Sequence, residues 1–270
     1  MPMKPDLRHG LHFDLPQFAA LAVLAAQRRQ ALRLLAGLGL GLGGGLPLLA
    51  LAADSACRRL PAATAGPFPA DGSNRTRAGV ANVLALADVV RSDIRSSIGG
   101  LSGSAAGVPM TLTLALVNSS AGCAALAGHA VYLWQNDQAG LYSMYSSGVT
   151  EQNYLRGVQV SDAQGRVSFQ TIFPGCYAGR WPHLHFEVFR SLAAASRGAH
   201  SVLTSQLALP LATCQQVYAS AGYASSATRL APLTLAGDFV FADDSAALHL
   251  ASVSGSVAGG LAATLVVGVA

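Results

Sequence analysis

The chain has 270 residues, of which 51% are hydrophobic and 11% are charged, and its formal net charge is +4. A chain of this length and composition can bury a sizeable core, which excludes an intrinsically disordered protein. Five Lys or Arg residues against two Asp account for most of the excess charge before residue 53. The remainder is nearly neutral and carries no basic patch of the kind that binds nucleic acid.

The basic N-terminal residues precede a Gly- and Leu-rich run. Residues 28–35 read RRQALRLL, the run occupies residues 35–53, and it ends in the A-x-A-like ALA at residues 50–52. This pattern resembles a twin-arginine export signal. The run is long enough to span a membrane, but its glycines and Pro47 make it a poor permanent helix. We therefore predict that residues 1–52 are an export signal. After cleavage the protein would be periplasmic or extracellular with no stable membrane span; with the signal retained it would be membrane-anchored.

Four cysteines follow the predicted signal. In an oxidising compartment they can form two disulfides, with three connectivities open. We predict the pairs Cys57–Cys123 and Cys176–Cys214. No C-x-x-C pair is present in the sequence, which argues against a zinc ribbon.

The composition changes along the mature part of the chain. Residues 53–109 are rich in Gly, Pro, Ala and Asn, lack a helical period, and predict a long irregular arm over a core. Short β-prone runs then follow, separated mostly by Gly, Asn or Ser turns, at residues 110–117, 129–135, 165–173, 183–189, 200–209, 247–256 and 261–269. They predict an all-β fold, an antiparallel β-sandwich at residues 110–270 that forms one domain with the arm. Apolar residues at helical spacing predict one short helix at residues 211–219.

Two histidines stand out in the run HLHFEVF. Side chains alternate along a strand, so His183 and His185 leave one face together while Leu184 and Phe186 leave the other. The backbones of the two histidines are then about 6.6 to 7 Å apart, a separation from which both rings can bind one ion. Zn, Cu, Mn and Fe are all bound with this spacing, and unspecific surface histidines share it, so the pair alone does not name a metal.

Two tyrosines accompany the pair. Tyr177 lies six residues before His183 in a turn marked by proline and glycine, and Tyr142 follows a predicted strand and turn. No thiolate or helical Glu spacing near the histidines indicates a zinc hydrolase. Phenolate oxygen suits a ferric ion. The residues by themselves thus indicate a mononuclear metal site for which iron(III) is one candidate.

Several segments resemble the intradiol ring-cleavage dioxygenases, the family of catechol and protocatechuate dioxygenases. GLYS at 140–143, the long segment at 155–188 that contains PGCYAGRWPHLHFEV, and LTSQLALP at 203–210 look like that family's core. TAGPFP at 64–69 and VVRSDIR at 89–95 look like its substrate-side arm. The ordered pattern G-x-Y, P-G-x-Y and R-x-x-H-x-H is highly specific. The resemblance is to an exported bacterial branch of the family.

The resemblance implies an activity and the residues that perform it. A catechol ring would be cleaved with O2 between its two hydroxyl-bearing carbons to give a cis,cis-muconate. The implied Fe(III) ligands are Tyr142, Tyr177, His183 and His185. The implied catalytic residues are Tyr177, which takes a substrate proton, and Arg180 and Gln206, which stabilise developing negative charge. Family members often dimerise, so a homodimer is compatible with the resemblance.

Some positions depart from the family pattern. WQND at 134–137 stands where a histidine often follows the tryptophan, and the arm ends in GPFP at 66–69 without an aromatic hydroxyl. Both departures leave the substrate's ring substituents open. Tyr132 and Tyr145 lie near Tyr142 in sequence but do not match the ligand pattern, and no role is assigned to Tyr145.

The sequence is also compatible with two other functions. One is a non-catalytic exported β-sandwich binding module with a structural or degenerate metal site. The other is a zinc hydrolase built on the same histidine pair. A complete set of four ligands and an arginine argues against the first, because a decayed site is expected to lose at least one of them. Two tyrosine ligands would be unusual in the second.

Overall fold

The structure is a computed structural model that describes residues 57–76, 79–198, 200–243 and 245–270. The predicted export signal lies outside these residues. The strands of the described part are β1 (Asp71–Thr76), β2 (Gly79–Asn82), β3 (Pro109–Asn118), β4 (Ala124–Ala125), β5 (Ala130–Trp134), β6 (Arg156–Val160), β7 (Arg166–Ile172), β8 (His183–Phe189), β9 (Leu203–Ala208), β10 (Ser252–Ser256) and β11 (Gly260–Val269). The α-helices are α1 (Leu192–Ser196), α2 (Leu211–Tyr218), α3 (Ala224–Leu230) and α4 (Ala246–His249), and 3-10 turns lie at Val83–Ala85, Ala87–Val89 and Leu235–Gly237.

Two sheets form the sandwich. The larger sheet has the order β10-β11-β3-β4, and β7 also pairs with β3, on the edge opposite β11. The smaller sheet has the order β6-β5-β8-β9. Inward side chains of both sheets share one hydrophobic core, to which β3 contributes Met110, Leu112 and Leu114 while its alternate residues face outward. The predicted all-β sandwich is confirmed. One pairing differs from an all-antiparallel arrangement, because β11 runs parallel to β3 from Leu261–Met110 to Val269–Asn118.

The small sheet carries the candidate site, and both of its faces are covered at β8. All seven residues of β8 are buried. Leu184 and Phe186 face the shared core, and the opposite face lies under the arm. The arm is not wholly irregular, since β1 and β2 pair as an antiparallel hairpin. The arm contacts both sheets elsewhere, because Leu60 donates a hydrogen bond to Gly268 on β11 of the larger sheet and Ala63 donates to Thr204 on β9 of the small sheet.

The predicted helix at residues 211–219 is confirmed as α2, and the structure adds three short helices that the sequence pattern did not indicate. The predicted run at residues 247–256 begins with helix α4, so only its second half is a strand. Strand β6 was also missed. It is short and contains Gly157, where an added Cβ would lie 2.5 Å from the Ile94 side chain of the arm. Within the described residues no helix is long and apolar enough to cross a membrane.

The cysteine prediction is half right. Cys57 and Cys123 form a disulfide between the start of the arm and the turn after β3. The predicted Cys176–Cys214 bond is wrong, because both residues are free, buried thiols. Each is anchored to backbone carbonyls instead, Cys176 to that of Arg180 at 3.7 Å and Cys214 to that of Leu209 at 3.9 Å. Burial raises the pKa of the Cys176 thiol to about 11, so little of the thiolate needed for exchange is present at neutral pH.

Replacing Cys123 by serine is expected to destabilise the oxidised protein by about 4 kcal/mol, because the bond closes a loop with a sequence separation of 66. Urea unfolding with and without a reductant measures the effect. The reductant should lower wild-type stability by a similar amount and leave the variant unchanged. A wild type that is insensitive to reductant would contradict the prediction.

Candidate metal centre

Three short segments bring the predicted ligands together. His183 and His185 lie on β8, Tyr142 lies in the loop after β5, and Tyr177 lies in the loop between β7 and β8. Trp134, at the end of β5, pairs with His185 in the sheet and stacks on its ring at a centroid distance of 5.0 Å. The alternation of β8 and the pairing of β5 with β8 therefore fix the orientation of His185.

The two tyrosine loops touch through their backbones, which explains the glycines that precede each tyrosine. Gly175 donates a hydrogen bond to the carbonyl of Asp137 at 2.9 Å, and a Cβ at Gly175 would lie 2.5 Å from the carbonyl oxygen of Gln138. Gly140 has a φ of +84° and a Cβ there would lie 3.1 Å from the carbonyl oxygen of Cys176. Only glycine allows this approach without displacing backbone.

Nε2 of His183 lies within hydrogen-bonding distance of the donor atoms of two other predicted ligands. Nε2 of His183 is 3.0 Å from Nε2 of His185 and 3.1 Å from the hydroxyl oxygen of Tyr177. The Tyr142 ring lies beside them, with centroid distances of 5.8 Å to Tyr177 and 6.2 Å to His185. All four predicted ligands are therefore gathered in one place.

Burial sets the protonation of the two histidines. His183 is 2% exposed and its pKa is lowered to about 3, first by burial and then by the positive charge of Arg180. The pKa of His185 is lowered well below its ordinary value, also chiefly by burial. Nδ1 of His183 donates to the carbonyl of Trp181 at 2.5 Å, so its Nε2 presents a lone pair. Neutral imidazoles in this orientation suit metal binding.

The tyrosines differ in exposure. Tyr142 is 2% exposed, and burial raises its pKa well above the ordinary value. Tyr177 is only partly buried; burial also raises its pKa, while nearby Arg180 opposes the rise. Within the described residues the Tyr142 hydroxyl makes no hydrogen bond, nor does Nδ1 of His185. A buried hydroxyl without a partner costs free energy, which a metal bond would recover.

The residues fit a metal ion. Two ligands at right angles about an ion, each about 2.1 Å from it, lie about 3.0 Å apart, which matches the separations around Nε2 of His183. In the part of the chain that the structure describes, no group of three or more His, Cys, Asp or Glu could hold a metal. The ligands that the cluster offers a metal are two imidazoles and two phenol oxygens, a set that suits a ferric ion.

Arg180 is buried beside the cluster and held by two partners. Its Nε donates to Asp238 Oδ2 at 2.8 Å, and its Nη2 donates to Gln206 Oε1 at 2.6 Å. Arg180 is thus neither solvated nor paired with Glu187. Gln206 lies opposite His185 on β9 and donates to the carbonyl of Thr64 in the arm at 2.8 Å. Two of the three predicted catalytic residues, Arg180 and Gln206, are therefore placed at the histidine pair.

Asp238 and Phe239 were not found from the sequence. Burial opposes ionisation of Asp238, but Arg180 and the N–H groups of Trp181 and Val240 together hold its pKa below the ordinary value. The Phe239 ring is 71% exposed and lies 4.6 Å from the Arg180 guanidinium carbon. No spacing signal links residues 58 positions apart, so only the fold reveals this pair.

The arm covers the cluster from the other side. A Cβ at Gly66 would lie 3.4 Å from Cε1 of His185, and φ there is +68°. Phe68 contacts Tyr142 at a centroid distance of 4.9 Å. The departure at residues 134–137 has a structural role, because Asn136 donates to the carbonyl of Gly175 and the Asp137 carboxylate accepts from Tyr154. Those two side chains support the tyrosine loops.

A buried arginine ties the arm to the Tyr142 loop. Arg156 donates to the carbonyls of Phe68 and Pro69 in the arm and to that of Ser143 beside Tyr142, at 2.9 to 3.0 Å. The Tyr132 hydroxyl donates to the same Pro69 carbonyl at 2.6 Å. Tyr132 thus serves this network and lies outside the ligand set.

The structure gives Tyr145 a role that sequence reasoning did not. Its hydroxyl donates to Asn74 Oδ1 at 2.6 Å and accepts from the Ala70 N–H at 2.9 Å. Replacing Tyr145 by phenylalanine is expected to lower the free energy of unfolding by about 1 to 3 kcal/mol, because two partners lose their hydrogen bond. Urea unfolding checks this value. Unchanged stability would show that the arm is not held through this hydroxyl.

The part of the chain that contains the cluster is similar to known proteins. Residues 91–204 match the protein-family model described as Dioxygenase. This segment is similar to the dioxygenase family. The dioxygenase segment contains Tyr142, Tyr177, Arg180 and the histidine pair, whereas Gln206 and Asp238 lie beyond it. The family resemblance predicted from the motifs is therefore confirmed.

The chain is also similar to solved structures. An intradiol ring-cleavage dioxygenase from Tetranychus urticae is 24% identical, with a TM-score of 0.59, over 79% of this chain and 95% of that chain. Catechol 1,2-dioxygenase from Pseudomonas arvilla C-1 is 20% identical, with a TM-score of 0.44, over 73% and 62%. Hydroxyquinol 1,2-dioxygenase from Pseudomonas putida DLL-E4 is 15% identical, with a TM-score of 0.45, over 94% and 87%. No curated protein matched the chain in sequence. The first of these structures shows that the dioxygenase segment has the intradiol fold.

Proposed function

We propose that the protein is an iron(III) intradiol dioxygenase that cleaves a catechol with O2 to a cis,cis-muconate. The observation that carries the proposal is the meeting of two neutral imidazoles and two phenols in one buried cluster. The ligands would be Tyr142, Tyr177, His183 and His185. Similarity to the dioxygenase family and the intradiol fold support this choice of chemistry.

The bound ferric ion would withdraw electron density from the substrate and so make a ring carbon reactive toward O2. Burial lowers the pKa of both histidines, so they stay neutral and can serve as iron ligands without taking up protons. Tyr142 is fully enclosed by Phe68, Tyr177 and His185, which suits a permanent ligand. Tyr177 is the more exposed tyrosine, and we assign its oxygen, which would be ionised as an iron ligand, to accept a proton from a substrate hydroxyl.

Arg180 and Gln206 are held in fixed orientations and would stabilise negative charge that develops on the substrate. The guanidinium is fixed by Asp238 on one side and Gln206 on the other, so its positive charge is preorganised beside His183. A fixed cation in a site with little water stabilises negative charge as it develops on the substrate. The Gln206 amide is itself fixed by the Thr64 carbonyl, so the arm and β9 position these two groups together.

Purified protein reconstituted with Fe(III) tests the proposal. A red-brown colour from tyrosinate-to-iron charge transfer is expected, and a panel of catechols should include one that gives a muconate with equimolar O2 uptake. The panel also identifies the preferred ring substituent. A colourless protein that takes up no iron would instead support the non-catalytic binding module.

We further propose that the protein is exported through residues 1–52. The Cys57–Cys123 disulfide supports this, since such bonds persist in oxidising compartments. The mass of the protein recovered from the periplasm or medium tests the proposal, with loss of the predicted signal as the expected result. Recovery of the intact chain from the membrane would indicate an anchor. The homodimer suggested by the family remains a prediction for size measurement in solution.

A further inference from the structure

A second cavity lies on the same sheet, away from the tyrosine and histidine cluster. Its volume is about 560 Å³, within the range of small-molecule sites. It is bordered by the hairpin β1–β2, by the ends of β8 and β9, and by the turn after α1. Among the residues that line it are Asp71, Asn82, Leu84, Glu187, Phe189 and Thr204. None of the proposed iron ligands lines it, so this cavity is distinct from the candidate metal centre.

Glu187 makes the cavity chemically specific. The residue is 7% exposed, so its side chain is more than nine-tenths buried. Its Oε1 accepts a hydrogen bond from Thr204 Oγ1 at 2.9 Å, and that hydroxyl is also 2.8 Å from Ser201 Oγ. Its Oε2 has no hydrogen-bond partner within the described residues. One carboxylate oxygen is thus fixed by the protein while the other lacks a donor.

A buried carboxylate oxygen without a partner is costly unless a cation or a strong donor meets it. Neighbouring Asp71 adds negative charge, and its own Oδ1 is occupied by the N–H and hydroxyl of Ser73. The only salt bridges that the described residues form are Arg95–Asp93 and Arg180–Asp238, so Glu187 has no ion-pair partner among them. Arg197 and His200 also line the cavity, but neither forms an ion pair with Glu187, so the free oxygen of Glu187 is where a cation would bind.

The residues that line the cavity favour an organic cation over a metal ion. The described residues contain no group of three or more His, Cys, Asp or Glu that could hold a metal. Leu84 and Phe189 are buried and apolar, and both line the cavity beside the carboxylate. We propose that this cavity binds a small organic ammonium compound, with Glu187 as its counter-ion and with Leu84 and Phe189 in contact with its apolar part.

Isothermal titration of the iron-loaded protein with 2-phenylethylamine tests the proposal. This probe carries an ammonium and an apolar ring but no catechol hydroxyls that would draw it to iron. We expect one molecule to bind, Glu187→Gln to weaken binding by at least tenfold, and Glu151→Gln to leave it unchanged, because Glu151 is exposed and does not line the cavity. Phenylacetate, with the opposite charge, should not bind.

A second variant guards against misfolding of the first. Leu84→Trp fills the cavity but keeps Glu187, and it should also abolish binding while the iron colour stays unchanged. The proposal is overturned if 2-phenylethylamine does not bind, if it binds equally to wild type and Glu187→Gln, or if phenylacetate binds as well. Stabilisation by Ca²⁺ alone that depends on Glu187 would likewise overturn it in favour of a metal site.

Discussion

Tyr177→Phe is expected to lower turnover by about 100-fold or more while the fold survives, because the change removes a positioned proton acceptor but keeps the ring. The Tyr177 hydroxyl oxygen lies 3.1 Å from Nε2 of His183, and the ring contacts that of His183 at a centroid distance of 5.6 Å. Tyr142 and both histidines would remain to hold iron. The charge-transfer band should therefore weaken or shift without disappearing. Steady-state oxygen uptake and the visible spectrum measure the two effects.

Tyr145→Phe is the matched control, since it removes the same atom from a neighbouring tyrosine. Its hydroxyl contacts the arm, so stability should fall while colour and turnover of the folded protein stay near wild type. Equal losses of turnover in the two variants would contradict the role assigned to Tyr177. If Tyr145→Phe were the variant that loses its colour, the assignment of the tyrosine ligands would be wrong.

Arg180→Met is expected to reduce turnover by about 100- to 1000-fold, the scale for losing a preorganised charge-stabilising group. It should also destabilise the protein by about 3 to 5 kcal/mol, because Asp238 is left buried without its ion-pair partner. Turnover at saturating substrate and urea unfolding measure the two losses separately.

The double variant Arg180→Met/Asp238→Asn separates the catalytic effect from the structural one. Asparagine removes the uncompensated charge but keeps only one side-chain oxygen, so it can accept from Trp181 or from Val240, whose N–H groups bond different oxygens of Asp238. Stability should recover only in part, with about 1 to 3 kcal/mol still lost because one N–H group has no acceptor, and turnover should not recover. Recovery of both would show that Arg180 acts only as a partner of Asp238.

Alternation along a strand was enough to predict the histidine pair. His183 and His185 leave one face of β8 because their neighbours Leu184 and Phe186 belong to the core, and the observed strand has the predicted bounds. The tyrosines were different. Both lie in loops, where no period exists, and only the family motif indicated that Tyr142 and Tyr177 meet the histidines. The glycines of that motif are explained by the contact between the two loops.

Contacts between residues that are distant in the sequence could not be predicted. Asp238 approaches Arg180 through a turn after α3, and Arg156 bonds the arm through backbone carbonyls that carry no sequence signature. The second cysteine pair was mispredicted because sequence spacing does not reveal which backbone groups anchor each thiol. The parallel partner of β3 was missed for a related reason, since strand pairing at large separation depends on the packing of both sheets.

The position of β11 has a consequence for how the protein is made. Strand β3 lies between β7 and β11, and its parallel pairing with β11 joins segments that are synthesised far apart in time. Until residues 260–269 are available, one edge of β3 exposes unpaired N–H and C=O groups beside apolar side chains, which is a template for aggregation. Pairing at such long separation is also slow, because loop closure precedes the contacts that reward it. Folding yield is therefore expected to rise with a lower expression level, which reduces encounters between chains with an exposed edge, and truncations within β11 should fail to yield soluble protein.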